Sequence, residues 1–192
     1  KIRLDSNRQL RRLKDIGQVK FIVATNRAEA KTIIDAMIKQ KIQKSEANNE
    51  WDMLTLVENK NFYFQLPEIT SNNLFIHCSC LMLDNIILST HIGLIFKKQF
   101  YYLMPAYEIN EWKRFSTGRL LLQYLIEWSF NNSIKLFDFT YGDEEYKKHW
   151  SNNIIELHET IESHRIKGQV YILYRRLFKI IESIPWLSNK LK

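Results

Sequence analysis

Apolar residues recur at two different periods along this 192-residue chain, and the change between them marks out its elements. Ala30, Ile33, Ile34, Met37, Ile38 and Ile42 fall three and four apart, the spacing of one helix face, and Asn26 with Glu29 is a capping-box pattern at its start. Upstream, Asp5 or Ser6 is expected to cap a helix that turns Leu10 and Leu13 inward and Arg8, Arg11, Arg12 and Lys14 outward, ending at Gly17 before a strand over Val19 to Ala24. Residues 45–52 are polar and read as a loop, and 54–66 read as a helix that stops before Pro67.

From Leu74 the pattern becomes strand-like. Leu74 to Leu83, Ile86 to Phe96 and Phe100 to Ala106 are three apolar runs joined by Asp84-Asn85 and Lys97-Lys98-Gln99, an antiparallel meander. Ser116 and Thr117 then precede a helix from near Gly118 with Leu120, Leu121, Tyr124, Leu125 and Trp128 on its inner side. Leu136 to Thr140 reads as a buried strand, Ile154 to Ile161 as another, and Gln169 to Ile184 as a basic amphipathic helix stopped by Pro185. A meander followed by a strand–helix–strand crossover predicts an α/β protein whose mixed central sheet is covered by helices on both faces.

Composition narrows the class. The chain is 45% hydrophobic and 26% charged, with no Pro- or Gly-rich tract and no apolar run near the 18 residues of a membrane span, so one folded domain over residues 1–192 with no membrane span is expected. Lys1 opens the chain without a Met or a signal-peptide pattern, which points to a fragment of a longer protein. Cys78 and Cys80 are its only cysteines; their spacing reads as core filling on one strand face, and so few cysteines suit a cytoplasmic setting. The net charge of +7 sits at the ends, with seven Lys/Arg against two Asp in residues 1–20 and seven against one Glu in residues 165–192. Such ends are either solvated helix faces or surfaces for nucleic acid, anionic lipid or a missing domain.

Three places could carry chemistry. The turn Arg114-Phe115-Ser116-Thr117-Gly118-Arg119 opens a helix, where free amides, the dipole and two arginines suit a phosphate; the alternative is a turn that only caps its helix. The run Phe137-Asp138-Phe139-Thr140-Tyr141-Gly142-Asp143-Glu144-Glu145-Tyr146-Lys147-Lys148-His149-Trp150 breaks from strand to polar loop. Within it Asp138 is either a positioned carboxylate or a hydrogen-bond anchor, and Tyr146 and Lys147 either reach a ligand or form a surface pair. His91, in the second meander strand, is either a proton acceptor or a structural residue. No set of Cys and His has metal spacing, and no metal is expected.

Together, Leu-Met-Pro-Ala-Tyr at 103–107, Phe-Ser-Thr-Gly-Arg-Leu-Leu-Leu at 115–122 and the run at 137–150 resemble, in order and spacing, the GNAT-like acetyltransferases grouped with cellulose-biosynthesis proteins and related to Fem-type transferases. Arg11-Arg12-Leu13 with Gly17 and Phe21, and Leu83-Asp84-Asn85 with Ser89-Thr90-His91, extend the likeness over most of residues 8–150. The chain departs from the group where Ser-Pro-Gly becomes Ser116-Thr117-Gly118, and it has one of the two small residues of the general pyrophosphate pattern.

The resemblance implies a GNAT-like fold and transfer of an acyl group from acetyl-CoA or another acyl-CoA to an amine of a sugar or cell-envelope polysaccharide precursor, without covalent enzyme chemistry. It implies that Arg114, Ser116, Thr117, Gly118 and Arg119 hold the pyrophosphate. Tyr107, Tyr141, Asp143, Tyr146 and Lys147 would line the acceptor side, with His91 and Asp138 as catalytic candidates. Relatives in this group often hold two such halves, so an N-terminal GNAT-like half or a second subunit is an expected partner. Nucleic acid is not expected as a partner, save tRNA under the Fem-type alternative; the third alternative is a non-catalytic binding module.

Overall fold

The computed structural model describes residues 2–69, 71–158 and 160–182. Two compact units divide the chain, Lys1–Ser151 and Asn152–Lys192. In the first, α1 (Ile2–Lys14) leads into β1 (Val19–Val23) and α2 (Arg27–Ala47). A 3-10 turn at Met53–Thr55, α3 (Val57–Gln65) and a second 3-10 turn at Leu66–Glu68 precede β2 (Leu74–Leu83), β3 (Ile86–Phe96) and β4 (Gln99–Tyr107). A 3-10 turn at Glu111–Phe115, α4 (Thr117–Asn131), β5 (Leu136–Asp138) and the short α5 (Glu145–Lys148) complete it. The strands lie in the order β1-β2-β3-β4-β5, antiparallel through β4, with β5 parallel to β4.

Each sheet face has its own core, because alternate side chains of a strand point to opposite faces. On one, Ala30, Ile33, Ile34, Met37 and Ile38 of α2 pack against Cys78, Cys80, Ile92 and Ala106. On the other, Leu13 of α1 and Leu120, Leu121, Leu122 and Leu125 of α4 pack against Leu81, Leu83, Phe100 and Tyr102. The mixed sheet covered on both faces is thus as the periodicity predicts. Both cysteines are buried and free, and burial pushes their thiols up to about 12 and about 11, as inert core filling requires.

The local differences have physical reasons. Asn26 accepts from the Glu29 amide at 3.0 Å while the Glu29 carboxylate reaches back to the Thr25 amide at 2.8 Å, one residue before the cap. Helix α2 continues to Ala47, past the expected start of a loop at 45, because Ser45 is buried and its hydroxyl donates to the Ile42 carbonyl. Helix α1 begins at Ile2, so Asp5 and Ser6 lie inside it; Asp5 reaches Arg119 of α4 instead of capping.

The second unit contains α6 (Ile166–Glu182). The strand expected over Ile154 to Ile161 does not form. Ile154, Ile155 and Leu157 are exposed, and the stretch has no ladder partner among the described residues, without which extended backbone is not held as a strand. Pro185 and the last part of the expected final helix lie outside the described residues.

Candidate active site

Strands β4 and β5 pair over only three positions, Gln99 with Leu136, Phe100 with Phe137 and Tyr101 with Asp138. β4 runs on to Tyr107 with β3 on one side and, among the described residues, no strand on the other. The chain after β5 is turned away by Thr140, whose φ of 59° is unusual for a β-branched residue. Asp138 holds it there: one carboxylate oxygen accepts from the Thr140 amide at 2.7 Å, the other from Gln99 Nε2 at 3.1 Å. The Thr140 hydroxyl then donates to the Tyr102 carbonyl at 3.2 Å, which satisfies the last ladder position and ends the pairing.

β4 also carries an extra residue. Tyr102 faces Gly93 and Met104 faces Ile92, so Leu103 is bulged and the alternation inverts. Phe100 and Tyr102 lie on the α4 side, whereas Met104 and Ala106 lie on the α2 side. Pro105, with no N–H to contribute to a ladder, is tolerated where β4 has lost one neighbour.

A cavity of about 710 Å³ occupies this wedge. Its walls are the free edge of β4, the start of α4, the loop after β5 and two lysines of α2, Lys41 and Lys44. It brings together Ser116, Thr117, Gly118 and Arg119 from one predicted site with Tyr141, Tyr146 and Lys147 from the other, and Tyr107 from the first motif block.

At the start of α4, Ser116 takes a left-handed conformation (φ 53°) and makes no side-chain cap. Thr117 does not cap either; its hydroxyl donates to the Leu88 carbonyl at 3.4 Å, and its carbonyl accepts from Ser89 Oγ at 3.0 Å. The expected Ser/Thr cap is therefore replaced by a tie to β3. The Thr117 and Gly118 amides, first in the helix, have no intrahelical acceptor and stand at the positive dipole end. Gly118 is small for a reason unrelated to a ligand: a Cβ there would lie 2.9 Å from Cδ1 of Tyr107.

On the other wall, Gly142 (φ 118°) makes a bend that side chains rarely adopt. The bend lets Lys147 fold back, its side chain only 10% exposed, to donate to the Tyr141 carbonyl at 2.7 Å and to pair with Glu144 at 2.7 Å. A nearly buried ammonium is tolerated because it has both partners. The hydrogen bond from Lys147 holds the Glu144 carboxyl below its usual range. Tyr146 moves the opposite way, raised by burial and then by the Glu144 charge.

Some sequence-based assignments are not met in the cavity. His91 is 0% exposed and absent from its lining; its ring stacks on Tyr102 at 4.5 Å, and neither ring nitrogen has a hydrogen-bond partner. Burial holds its pKa well below the usual imidazole value, with His77 nearby adding to the effect. A sealed imidazole cannot take a proton from a substrate in the cavity, so His91 does not act as general base there but packs the core. Asp138 acts as the anchor just described and does not line the cavity. Arg114 lies over the Phe115 ring, 4.9 Å from its centroid, and Asp143 is exposed; neither lines the cavity. Conversely, Lys41, Lys44, Lys113 and Trp150 line it without having been singled out, and Glu144 without having been given a role. The one sequence signal for Lys41 and Lys44 is their three-residue spacing, which puts both on one face of α2.

Residues 1–148 match the family described as the acetyltransferase (GNAT) domain, and the chain belongs to that family. It is accordingly a GNAT-type acyltransferase, and members of the family use acetyl-CoA as co-substrate. No curated protein matches it. Among solved structures, it is similar to an aminoglycoside acetyltransferase from an uncultured soil metagenomic sample in complex with sisomicin, at 13% identity over 75% of this chain and 97% of that one, with a TM-score of 0.49. A second soil metagenomic aminoglycoside acetyltransferase shares 10% identity over 76% and 99% with a TM-score of 0.47. A possible acetyltransferase from Clostridium difficile 630 shares 9% over 77% and 97% with a TM-score of 0.46. Among the described residues no helix is long and apolar enough to cross a membrane.

Proposed function

We propose that this chain transfers an acetyl group from acetyl-CoA to a primary amine on a sugar-type acceptor, as in the cellulose-biosynthesis-associated group that its three motif blocks resemble. The observation that carries the reading is that one cavity joins the amides of Thr117 and Gly118 to the carboxylate and aromatic loop of Glu144, Tyr141 and Tyr146. A pyrophosphate suits the first wall, where two amides point along the dipole. A protonated amino sugar suits the second, where Glu144, paired with Lys147 through Oε2, has its other carboxylate oxygen to offer and aromatic rings offer apolar faces.

The division of labour follows from the two opposed shifts in acidity. Glu144 stays ionised and draws the acceptor ammonium into place; it is too weak a base to deprotonate it, so the amine loses that proton to solvent before attack. The amine nitrogen then forms a bond to the thioester carbonyl carbon. The C–S bond breaks, the leaving thiolate takes a proton from Tyr146, whose hydroxyl stays protonated at neutral pH, and the tyrosinate regains one from the nitrogen, which sheds its second proton as the amide forms. Backbone N–H groups on the free edge of β4 polarise the carbonyl oxygen. Asp138 contributes by position, through Thr140, keeping that edge open.

Incubation with acetyl-CoA and a panel of amino sugars, read by mass spectrometry, tests this directly. A 42 Da gain on an amino sugar with release of free thiol is expected, the mass being that of one acetyl group replacing one hydrogen. Turnover of simple alkyl amines with none of amino sugars would reject the acceptor class. The rate should rise with pH toward the pKa of the acceptor amine; a plateau set near pH 6.5 would instead restore a histidine base.

A further inference from the structure

Three cations of the cavity have no carboxylate. Lys147 is paired with Glu144 and Arg119 with Asp5, but among the described residues no ion pair takes Lys41, Lys44 or Lys113. Lys41 and Lys44 are three residues apart on one face of α2. Burial, and then the charge of Lys44, lowers the Lys41 pKa, with Asp52 opposing as a smaller influence. Two like charges held side by side are unfavourable unless an anion lies against both. Lys44 Nζ stands 5.3 Å from the centroid of the Tyr107 ring, and that same ring meets Gly118 at the start of α4. One aromatic ring therefore links the lysine pair to the free amides of Thr117 and Gly118.

We infer that Lys41 and Lys44 form a second phosphate subsite, for a phosphomonoester carried by the same ligand whose pyrophosphate lies at the Thr117 and Gly118 amides. This rests on the acetyl-CoA reading above, in which the ligand group is the ribose 3′-phosphate. A phosphomonoester carries roughly −1.5 to −2 charge at neutral pH, which two ammonium groups match. The pair is linked to the anion-binding wall through Tyr107. Arg119, the cation that the sequence motif suggests, is already neutralised by Asp5 and is left with the smaller part.

The test compares acetyl-CoA with 3′-dephospho-acetyl-CoA by calorimetry, using the full chain and a Lys41→Gln/Lys44→Gln variant. Glutamine keeps helix propensity close to lysine, and Lys44 is exposed, so the fold should hold; if thermal unfolding shows otherwise, Lys44→Gln alone replaces the double variant and should lose part of the preference. The unaltered chain should prefer acetyl-CoA about tenfold or more, and the variant should lose that preference while its affinity for the dephospho form stays within about twofold. Equal weakening of both ligands would overturn the subsite, as would the absence of any preference in the unaltered chain. A raised acceptor KM with the preference intact would assign the lysines to the acceptor and also overturn it. If the folded, unaltered chain binds neither ligand, the donor reading itself fails and the subsite fails with it.

Discussion

His91 and Lys147 are both polar side chains taken out of water, and they show opposite ways of being buried. His91 and His77 stack among Phe100, Tyr102 and Trp128 with no partner for their ring nitrogens, so they stay neutral and act as packing. Lys147 has both a carbonyl and a carboxylate as partners, because the bend at Gly142 delivers them to it. The difference teaches that burial alone does not mark a site. What marks this one is charge held by partners at the edge of a cavity, with neighbouring acidities pushed apart.

The largest expected effect breaks the comparison at its buried end. The folded-state pKa of His77 is lowered to about 4 from 6.5 by burial, only partly offset by its own backbone, so the unfolded chain binds more protons than the folded one between those values. Stability is full above pH 6.5 and falls as pH drops through 4, by about 3 kcal/mol for this residue. Chemical unfolding from pH 7 to 4 checks this, and His77→Leu should make the profile shallower, leaving the slope that buried His91 contributes. Next, Lys147→Met leaves the Tyr141 carbonyl and the Glu144 carboxylate without their donor and should cost about 1–3 kcal/mol, read in the same assay. A stability equal to that of the unaltered chain would make Lys147 a surface residue after all.

Smaller effects sharpen the picture. Glu144→Gln keeps shape and removes charge, so the acceptor KM should rise about tenfold with kcat little altered, which steady-state kinetics would show. Tyr102 touches both regions, stacked on His91 and facing the cavity. Burial raises its pKa far above the usual phenol value and it serves as packing, so Tyr102→Phe should change stability by under about 1 kcal/mol and kcat/KM by less than about threefold. A large loss of rate there would promote the Tyr102 hydroxyl to a chemical role.

How much of this could be read in advance depends on the range over which each feature is fixed. The apolar stripe of α2 and its Asn26–Glu29 cap are written in neighbouring residues and appear as expected. The same reasoning misplaced the start of α1, because nothing near Asp5 in the sequence shows that its partner is Arg119, 114 residues away. It gave Ser116 a capping role since Ser often caps; the tie of Thr117 to Leu88 and Ser89 on β3 decided otherwise. His91 looked available because a strand residue does not announce what covers it, and α4 with Phe100 and Tyr102 covers it.

By itself, then, the sequence determined the succession of helices and strands as far as β5, the mixed sheet and the three motif blocks of the family, because periodicity and turn chemistry act over a few residues. Only the tertiary structure decided that β5 leaves β4 after three pairs, that the bulge at Leu103 inverts the strand, and that Lys41, Lys44 and Glu144 join the cavity while His91 does not. Those outcomes rest on contacts between residues tens of positions apart, whose energies depend on which surfaces the packed elements bring together.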